Sequence, residues 1–319
     1  MYLEPPLDES LTTPTVTTRG TDNSYTNQKD VGELMEILHG RVERLSDDTL
    51  KEDPKRPTWQ LWKDDPACSH YYTRFGKGLT PVQLVSVPSS GSTWLRYLLE
   101  ASTGFFTGSN YNDTLLYKEG FLGEKGGVHE GGTLVQRTHG AAWFLLYIHD
   151  LQDRYDYINS SIPTILLLRD PARTIISYWK MFNLEGLNKH VMEIPKRRFE
   201  GGDFHDFVDE VTSLWEEQTV DRLLWATKPL HLIHFEHLKR DPMTHLRNLL
   251  DFLSVPVNEG RLACLASHMN GAFKRNSTSA TFDPFNAEEK KRFANVVRRV
   301  DRLLKVLGYP TMPLDNRLW

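Results

Sequence analysis

Cysteine is nearly absent, with Cys68 and Cys264 the only two in 319 residues. Two cannot form a disulfide framework, and lacking the close pairing of a zinc motif they do not spell a metal site. They read either as two buried thiols or as one long-range disulfide of an oxidising compartment. Also missing is any run of the roughly 18 apolar residues that a membrane-spanning helix needs. The opening Met1-Tyr-Leu-Glu-Pro-Pro lacks the basic start and apolar stretch of a signal peptide, so the chain as written reads as soluble. Nor is there an excess of one charge. With 38 Lys+Arg against 42 Asp+Glu the net charge is −4, which excludes a surface that gains affinity for duplex nucleic acid by releasing counterions. A nucleic-acid partner is therefore not expected.

What is there belongs to an ordinary globular protein: 39% hydrophobic, 11% aromatic and 25% charged residues. Three Asn-x-Ser/Thr sequons, at Asn112, Asn159 and Asn276, accept glycans only in a secretory compartment. Residues 1–30, rich in Thr, Ser, Asn and Asp, cannot bury enough apolar surface to order themselves and read as a flexible tail or stem. Residues 31–80 read as a helix followed by a linker that docks Trp59, Trp62, Tyr71 and Tyr72 onto the domain of residues 81–319. Within the helix, Val31, Met35, Leu38, Val42 and Leu45 form one apolar stripe, which packs onto the domain or, alternatively, pairs two chains through residues 31–45.

From Pro81 onward apolar runs alternate with amphipathic periods. Strands are expected at 81–87, 133–137, 163–168 and 230–235, and helices at 93–100, 142–151, 172–182, 203–225, 242–253 and 287–307. Such alternation predicts an α/β fold of three layers, a parallel sheet with helices on both faces. Ligands of such sheets bind beyond the carboxyl ends of the strands, and the chemistry-bearing residues fall there.

After the first strand, Ser89-Ser90-Gly91-Ser92-Thr93 opens a helix. Small residues let the backbone approach an anion, and the helix N-terminus favours negative charge. The loop is not a Walker A motif, for it lacks the Gly-Lys-Ser/Thr ending. That omission, with no visible magnesium site, argues against a kinase. After the second strand stands Gln136-Arg137-Thr138-His139, a cation and an imidazole at the sheet's mouth, suited to general base work. After the third comes Arg169-Asp-Pro, with Ser177 about two turns into the next helix. Farther on, Lys274 and Arg275 sit in a glycine-flanked loop that can clamp a phosphate.

Taken in this order, these elements resemble the P-loop-like sulfotransferases that use 3′-phosphoadenosine 5′-phosphosulfate (PAPS). Pro88-Ser-Ser-Gly-Ser-Thr-Trp94 resembles their 5′-phosphosulfate loop, Arg169-Asp-Pro with Ser177 their 3′-phosphate motif, and Arg137-Thr-His139 the Lys-Thr-His of the cytosolic branch. The 93–100 helix, Thr103-Gly-Phe-Phe-Thr-Gly-Ser with 117–124 after it, Arg261-Leu-Ala-Cys264 and Phe273-Lys-Arg275 are similar to the WSC-domain-containing sulfotransferase-like proteins. The cysteine-rich WSC module itself cannot be built from two cysteines.

The resemblance, which runs from about residue 66 to 309, implies transfer of a sulfonate to a hydroxyl, in line and without a metal. His139 is the implied base. Ser90, Gly91, Ser92, Thr93 and Trp94 would hold the 5′-phosphosulfate and adenine, and Arg169, Ser177, Lys274 and Arg275 the 3′-phosphate. Ser89 departs from the family's usual Lys or Arg, and Arg137 is the candidate to supply the missing charge. The implied acceptor is a carbohydrate, on a possible sialylated glycan, with Trp143, Tyr178, Trp179 and Phe182 as candidate stacking faces. The alternative function is a catalytically weak module that binds a glycan or a partner. A Golgi-lumenal location, with a membrane anchor absent from these residues, would account for the sequons, a Cys68–Cys264 pairing and the stem; a cytoplasmic chain is the alternative.

Overall fold

The computed structural model describes residues 26–43, 50–125, 131–140, 159–183, 194–271 and 282–314. Its described helices are α1 (Thr26–Leu38), α2 (Ser92–Thr103), α3 (Thr114–Lys118), α4 (Pro171–Phe182), α5 (Gly202–Trp225), α6 (Phe235–Arg240), α7 (Pro242–Phe252), α8 (Glu259–Ser267) and α9 (Ala287–Val306). The strands are β1 (Trp59–Gln60), β2 (Tyr72–Thr73), β3 (Gln83–Val85), β4 (Gly108–Ser109), β5 (Gln136–Thr138), β6 (Thr164–Leu168) and β7 (Leu230–His234). β1 and β2 form a small antiparallel ladder, and the other five make one parallel sheet in the order β4-β5-β3-β6-β7.

The layering follows from the pleat. Successive side chains on a strand point to opposite faces, and on β6 they enter two separate cores. Leu166 and Leu168 pack with Ile175, Trp215 and Val297 of α4, α5 and α9. Ile165 and Leu167 pack with Leu98, Leu249 and Leu265 of α2, α7 and α8. A strand wholly apolar on both faces must be covered on both, so the sheet lies between two helical layers, as expected.

Several helices start where the sequence supplies a side-chain cap. Asp170 accepts from the Arg173 N–H at 3.1 Å ahead of Pro171, whose fixed φ suits the first turn of α4. Asn286 and Glu289 satisfy each other's backbone N–H groups as a capping box for α9.

Several elements differ from expectation. α1 begins at Thr26, inside the stretch read as tail, and stops at Leu38. Leu38 and Val42 are buried against the chain's own domain, with Leu34 and Met35 packed beside Leu38. Intramolecular packing thus uses Met35, Leu38 and Val42 of that stripe, while Val31 is exposed and Leu45 lies outside the described residues. Residues 50–80 are more than a linker, since Trp62, Phe75 and Leu79 are core residues. The Asp53 N–H donates to the Phe75 carbonyl, and the Gly76 N–H to that of Gly132. Trp62 and Tyr71 pack on the core, whereas Trp59 and Tyr72 lie at its exposed edge on the β1–β2 ladder. The expected helix at 142–151 lies outside the described residues.

Candidate active site

Parallel register assembles the site. β3 lies between β5 and β6, with Val85 opposite both Thr138 and Leu166. Hence the residues just past these strands, Ser86 to Gly91, His139 and Arg169, emerge at one edge of the sheet.

The loop after β3 is shaped by two left-handed residues, Ser89 at φ 67° and Gly91 at φ 98°. A Cβ on Gly91 would sit 2.5 Å from the Phe235 ring, so glycine is required by both conformation and contact. Gly91 caps α2 without a side-chain hydrogen bond. Ser90 is buried, and its Oγ has no hydrogen-bond partner. Orphan helix N–H groups, a buried hydroxyl awaiting an acceptor and a surface that excludes Cβ are what an anionic ligand satisfies. The loop is therefore suited to an anionic group. Gly91→Ala should cost about 2–4 kcal/mol through left-handed strain and overpacking on Phe235. Urea unfolding measures this, and a midpoint equal to that of wild type would remove the close-approach argument.

Two arginines flank the loop. Arg169 donates through Nη1 to the Ser89 carbonyl at 2.7 Å, its guanidinium lies 4.7 Å from the centre of the Phe235 ring, and its own carbonyl accepts from the Trp215 indole. It thereby holds the strained residue in place. From β5, Arg137 reaches Thr93 Oγ1 at 3.4 Å and donates twice to Ser109 Oγ, at 3.0 and 3.2 Å. Ser89 Oγ lies 3.7 Å from Met181 Sδ on α4. A guanidinium thus stands at the first turn of α2, where the loop itself brings no cation.

Behind Arg137 is a buried charge network absent from the sequence reading. Glu124 accepts from Arg96 and, at 3.5 Å, faces Arg137; both Arg96 and Glu124 have side-chain exposures of 0%. The second Glu124 oxygen accepts from the Asp113 N–H at 3.0 Å. Arg96 also donates to Thr107 Oγ1 and the Thr107 carbonyl at 2.8 and 3.0 Å. Glu100, beside it, accepts from the Thr107 N–H, and burial pushes its carboxyl up to about 7. Glu100, one helical turn beyond Arg96 on α2, was a local trace of buried charge, but Glu124 lies on a separate element and left none.

His139 follows β5 directly. Its Nδ1 donates to the Ser86 carbonyl at 2.8 Å, which places the proton on Nδ1 and the lone pair on Nε2. The Tyr111 ring stacks on it at 5.1 Å, and its own N–H donates to the Tyr111 hydroxyl. Burial, reinforced by the Arg137 charge, pulls the imidazole down to about 3. His234, whose Nε2 donates to the Pro310 carbonyl, is likewise pulled down by burial, to about 4.

These shifts have a sign. A histidine depressed in the folded state contributes stability above its ordinary pKa of about 6.5 and loses it as pH falls toward the folded value. Glu100 acts oppositely, holding a proton below about 7 that the unfolded chain releases until about pH 4.5. His231 on β7 is likewise pulled down by burial to about 4, so three histidines against one glutamate leave stability falling by about 2.7 kcal/mol per pH unit between 6.5 and 4.5. Urea midpoints across that range should decline; a flat profile would contradict the neutral buried histidines.

Of the other expected site residues, Ser92 is buried in the first turn of α2 and Ser177 is half-buried on α4. Trp94 donates through Nε1 to the Met269 carbonyl at 2.9 Å and packs edge-on against Phe235. Lys274, Arg275 and Trp143 lie outside the described residues. Tyr178 and Trp179 are core residues packed on Phe207, as apolar helical spacing dictates, so neither is a stacking face for a sugar; Phe182 is 44% exposed.

The site thus consists of a small-residue loop that opens a helix after the first strand of a parallel sheet, with a buried histidine at the neighbouring strand tip. The sulfotransferase domain model matches residues 154–300. A WSCD family member of Drosophila melanogaster, CG9164, is 32% identical over 229 residues, covering 69% of this chain and 65% of that protein. Another, AAEL009094 of Aedes aegypti, is 34% identical over 225 residues, 68% of this chain and 63% of the relative. The chain thus spans slightly less than two thirds of the length of these curated relatives. Among solved structures, a mouse sulfotransferase complexed with PAP, SULT7A1, aligns with a TM-score of 0.44 at 17% identity, covering 72% of this chain and 86% of that one. Residues 154–300 thus match the sulfotransferase domain, and about two thirds of the chain is similar in sequence to WSCD family members.

Proposed function

We propose that this domain moves a sulfonate from PAPS to a hydroxyl of a carbohydrate. The observation that carries the reading is the buried His139, with its proton fixed on Nδ1 by Ser86 and its lone pair on Nε2, at the strand tip beside the Ser89–Thr93 loop. PAPS, when bound, supplies an activated sulfonate whose leaving group is a 3′,5′-bisphosphate. Ser90, Ser92, Thr93 and the N–H groups from Gly91 to Trp94 hold the 5′ end, and Trp94 offers its face to the adenine. Arg169 and Ser177, with Lys274 and Arg275, bind the 3′-phosphate. His139 takes the proton of the acceptor hydroxyl, a general base step worth about 10²–10⁴-fold. Arg137 stabilises charge that grows at the 5′-phosphate, in place of the family's basic residue at position 89. A preorganised cation in a water-poor site acts there with little reorganisation.

A lumenal compartment is part of the proposal. The Cys68–Cys264 disulfide suits an oxidising environment, and no described helix is long and apolar enough to cross a membrane. The test is transfer from radiolabelled PAPS to glycoprotein glycans, with and without prior sialidase treatment. Label on the glycans supports the enzyme, and its loss after sialidase identifies a sialylated acceptor. PAP binding without transfer to any glycan, even after Ser89→Lys, would favour the binding-only module.

A further inference from the structure

The disulfide joins two segments 196 residues apart, and each carries a second metal-type ligand. On one side are Asp65 and Cys68, in a turn where Asp65 accepts the N–H groups of Ala67 and Cys68 at 2.9 and 3.0 Å. On the other are Cys264, on α8, and His268, at the end of that helix and four residues on, so that both lie on one helical face. His268 Nε2 meets Asp65 Oδ2 at 2.8 Å. The ligand atoms of Asp65, Cys68 and His268 all lie within 4.8 Å of one another, and Cys264 Sγ is bonded to Cys68 Sγ. We propose that, once the disulfide is reduced, Asp65, Cys68, Cys264 and His268 form a tetrahedral zinc site that replaces the covalent link.

The donor set is what zinc takes: two thiolates, one imidazole and one carboxylate. Metal–ligand lengths of about 2.0–2.3 Å put neighbouring donor atoms about 3.3–3.8 Å apart. The bonded sulfur atoms must therefore separate, and Asp65 Oδ2 and His268 Nε2 must part from 2.8 Å while drawing toward them, movements within reach of side-chain rotation at a Cα–Cα distance of 5.8 Å. The Trp62 indole stacks on the His268 ring at 5.8 Å and orients it. Both cysteines are buried, while Asp65 and His268 side chains are 28% and 35% exposed, which gives the ion a way in.

The chemistry balances with a dithiol as reductant. Its two electrons cleave the S–S bond, two protons pass to the sulfurs, and the reductant closes to its own disulfide. Zinc then displaces both thiol protons and breaks the Asp65–His268 hydrogen bond; the imidazole proton moves from Nε2 to Nδ1, and neutral His268 binds through the freed Nε2 lone pair. The link matters beyond itself, because the His268 and Met269 carbonyls accept from Tyr97 and Trp94 of α2, at 2.6 and 2.9 Å. In a reducing compartment the ion would keep this end of α8 against the helix that begins at the anion loop.

The full chain is reduced with a dithiol, freed of reductant without air, and titrated with cobalt(II) as a spectroscopic probe, then with zinc. One equivalent of cobalt should give thiolate charge-transfer and intense tetrahedral ligand-field bands that zinc erases, while the oxidised chain takes none. His268→Ala and Asp65→Ala should each weaken binding by about 100-fold or more, and the Cys68→Ala/Cys264→Ala double variant should show no charge-transfer band. Equal binding by the reduced and oxidised chains, or by His268→Ala and wild type, would overturn the site. Circular dichroism covers loss of structure on reduction: zinc must then restore the helical signal, and a zinc-loaded chain that stays unfolded also overturns it.

Discussion

His139→Ala should lower sulfonate transfer by about 10²–10⁴-fold while leaving affinity for PAP within a factor of a few. The proton-accepting nitrogen is lost and with it the Nδ1 bond to the Ser86 carbonyl, which lies ahead of the Ser89–Thr93 stretch proposed to hold the nucleotide. Steady-state turnover with direct PAP titration separates the two. A second signature follows from the buried environment. Since burial and Arg137 hold this imidazole down to about 3, kcat/KM should show no acid limb near pH 6.5, where an ordinary histidine would give one. A limb with that midpoint, or a variant that transfers normally, would take the base role away from His139.

Glu124→Ala should destabilise the fold by about 3–5 kcal/mol, because it leaves two guanidinium groups without their shared carboxylate in a site closed to water. Chemical denaturation measures the loss. Arg96→Met with Glu124→Leu should regain much of it, since an apolar pair of similar volume carries no desolvation penalty. If the network also aims Arg137, the stable double variant should keep PAP affinity near wild type but turn over more slowly. Such a split between KM and kcat marks positioning rather than folding. A loss below about 1 kcal/mol for Glu124→Ala would mean that water reaches the network and that its charges are not coupled.

What could be read from the chain was local. The β3 loop, the Arg137–His139 run and Arg169 stood out because each follows an apolar strand, and the register of parallel neighbours then places strand tips together without further information. The three layers were legible for the same reason, in runs such as Thr164–Leu168 that are apolar on both faces. β4 was not, because Gly108 and Ser109 alone carry no period, yet Ser109 is what Arg137 leans on. Glu124, on a single turn of 3₁₀-helix, had no pattern to mark it as buried, and Arg96 looked like the polar side of an amphipathic helix. Both are explained only by their pairing, which is a tertiary fact. The disulfide stayed open in the residues themselves because proximity across 196 positions leaves no local trace. Tyr178 and Trp179 were over-read as binding faces, where helical periodicity already pointed to the core.

The most direct measurement is the thermal stability of the full chain with PAP, set against the nucleotide lacking the 3′-phosphate. At about 100 times its dissociation constant PAP should stabilise the fold by about 2.7 kcal/mol, with Arg169→Ala abolishing the shift and the 3′-dephosphorylated nucleotide giving little. No shift with PAP at millimolar concentration, or the same shift with both nucleotides, would contradict a pocket built for a 3′-phosphorylated sulfonate donor.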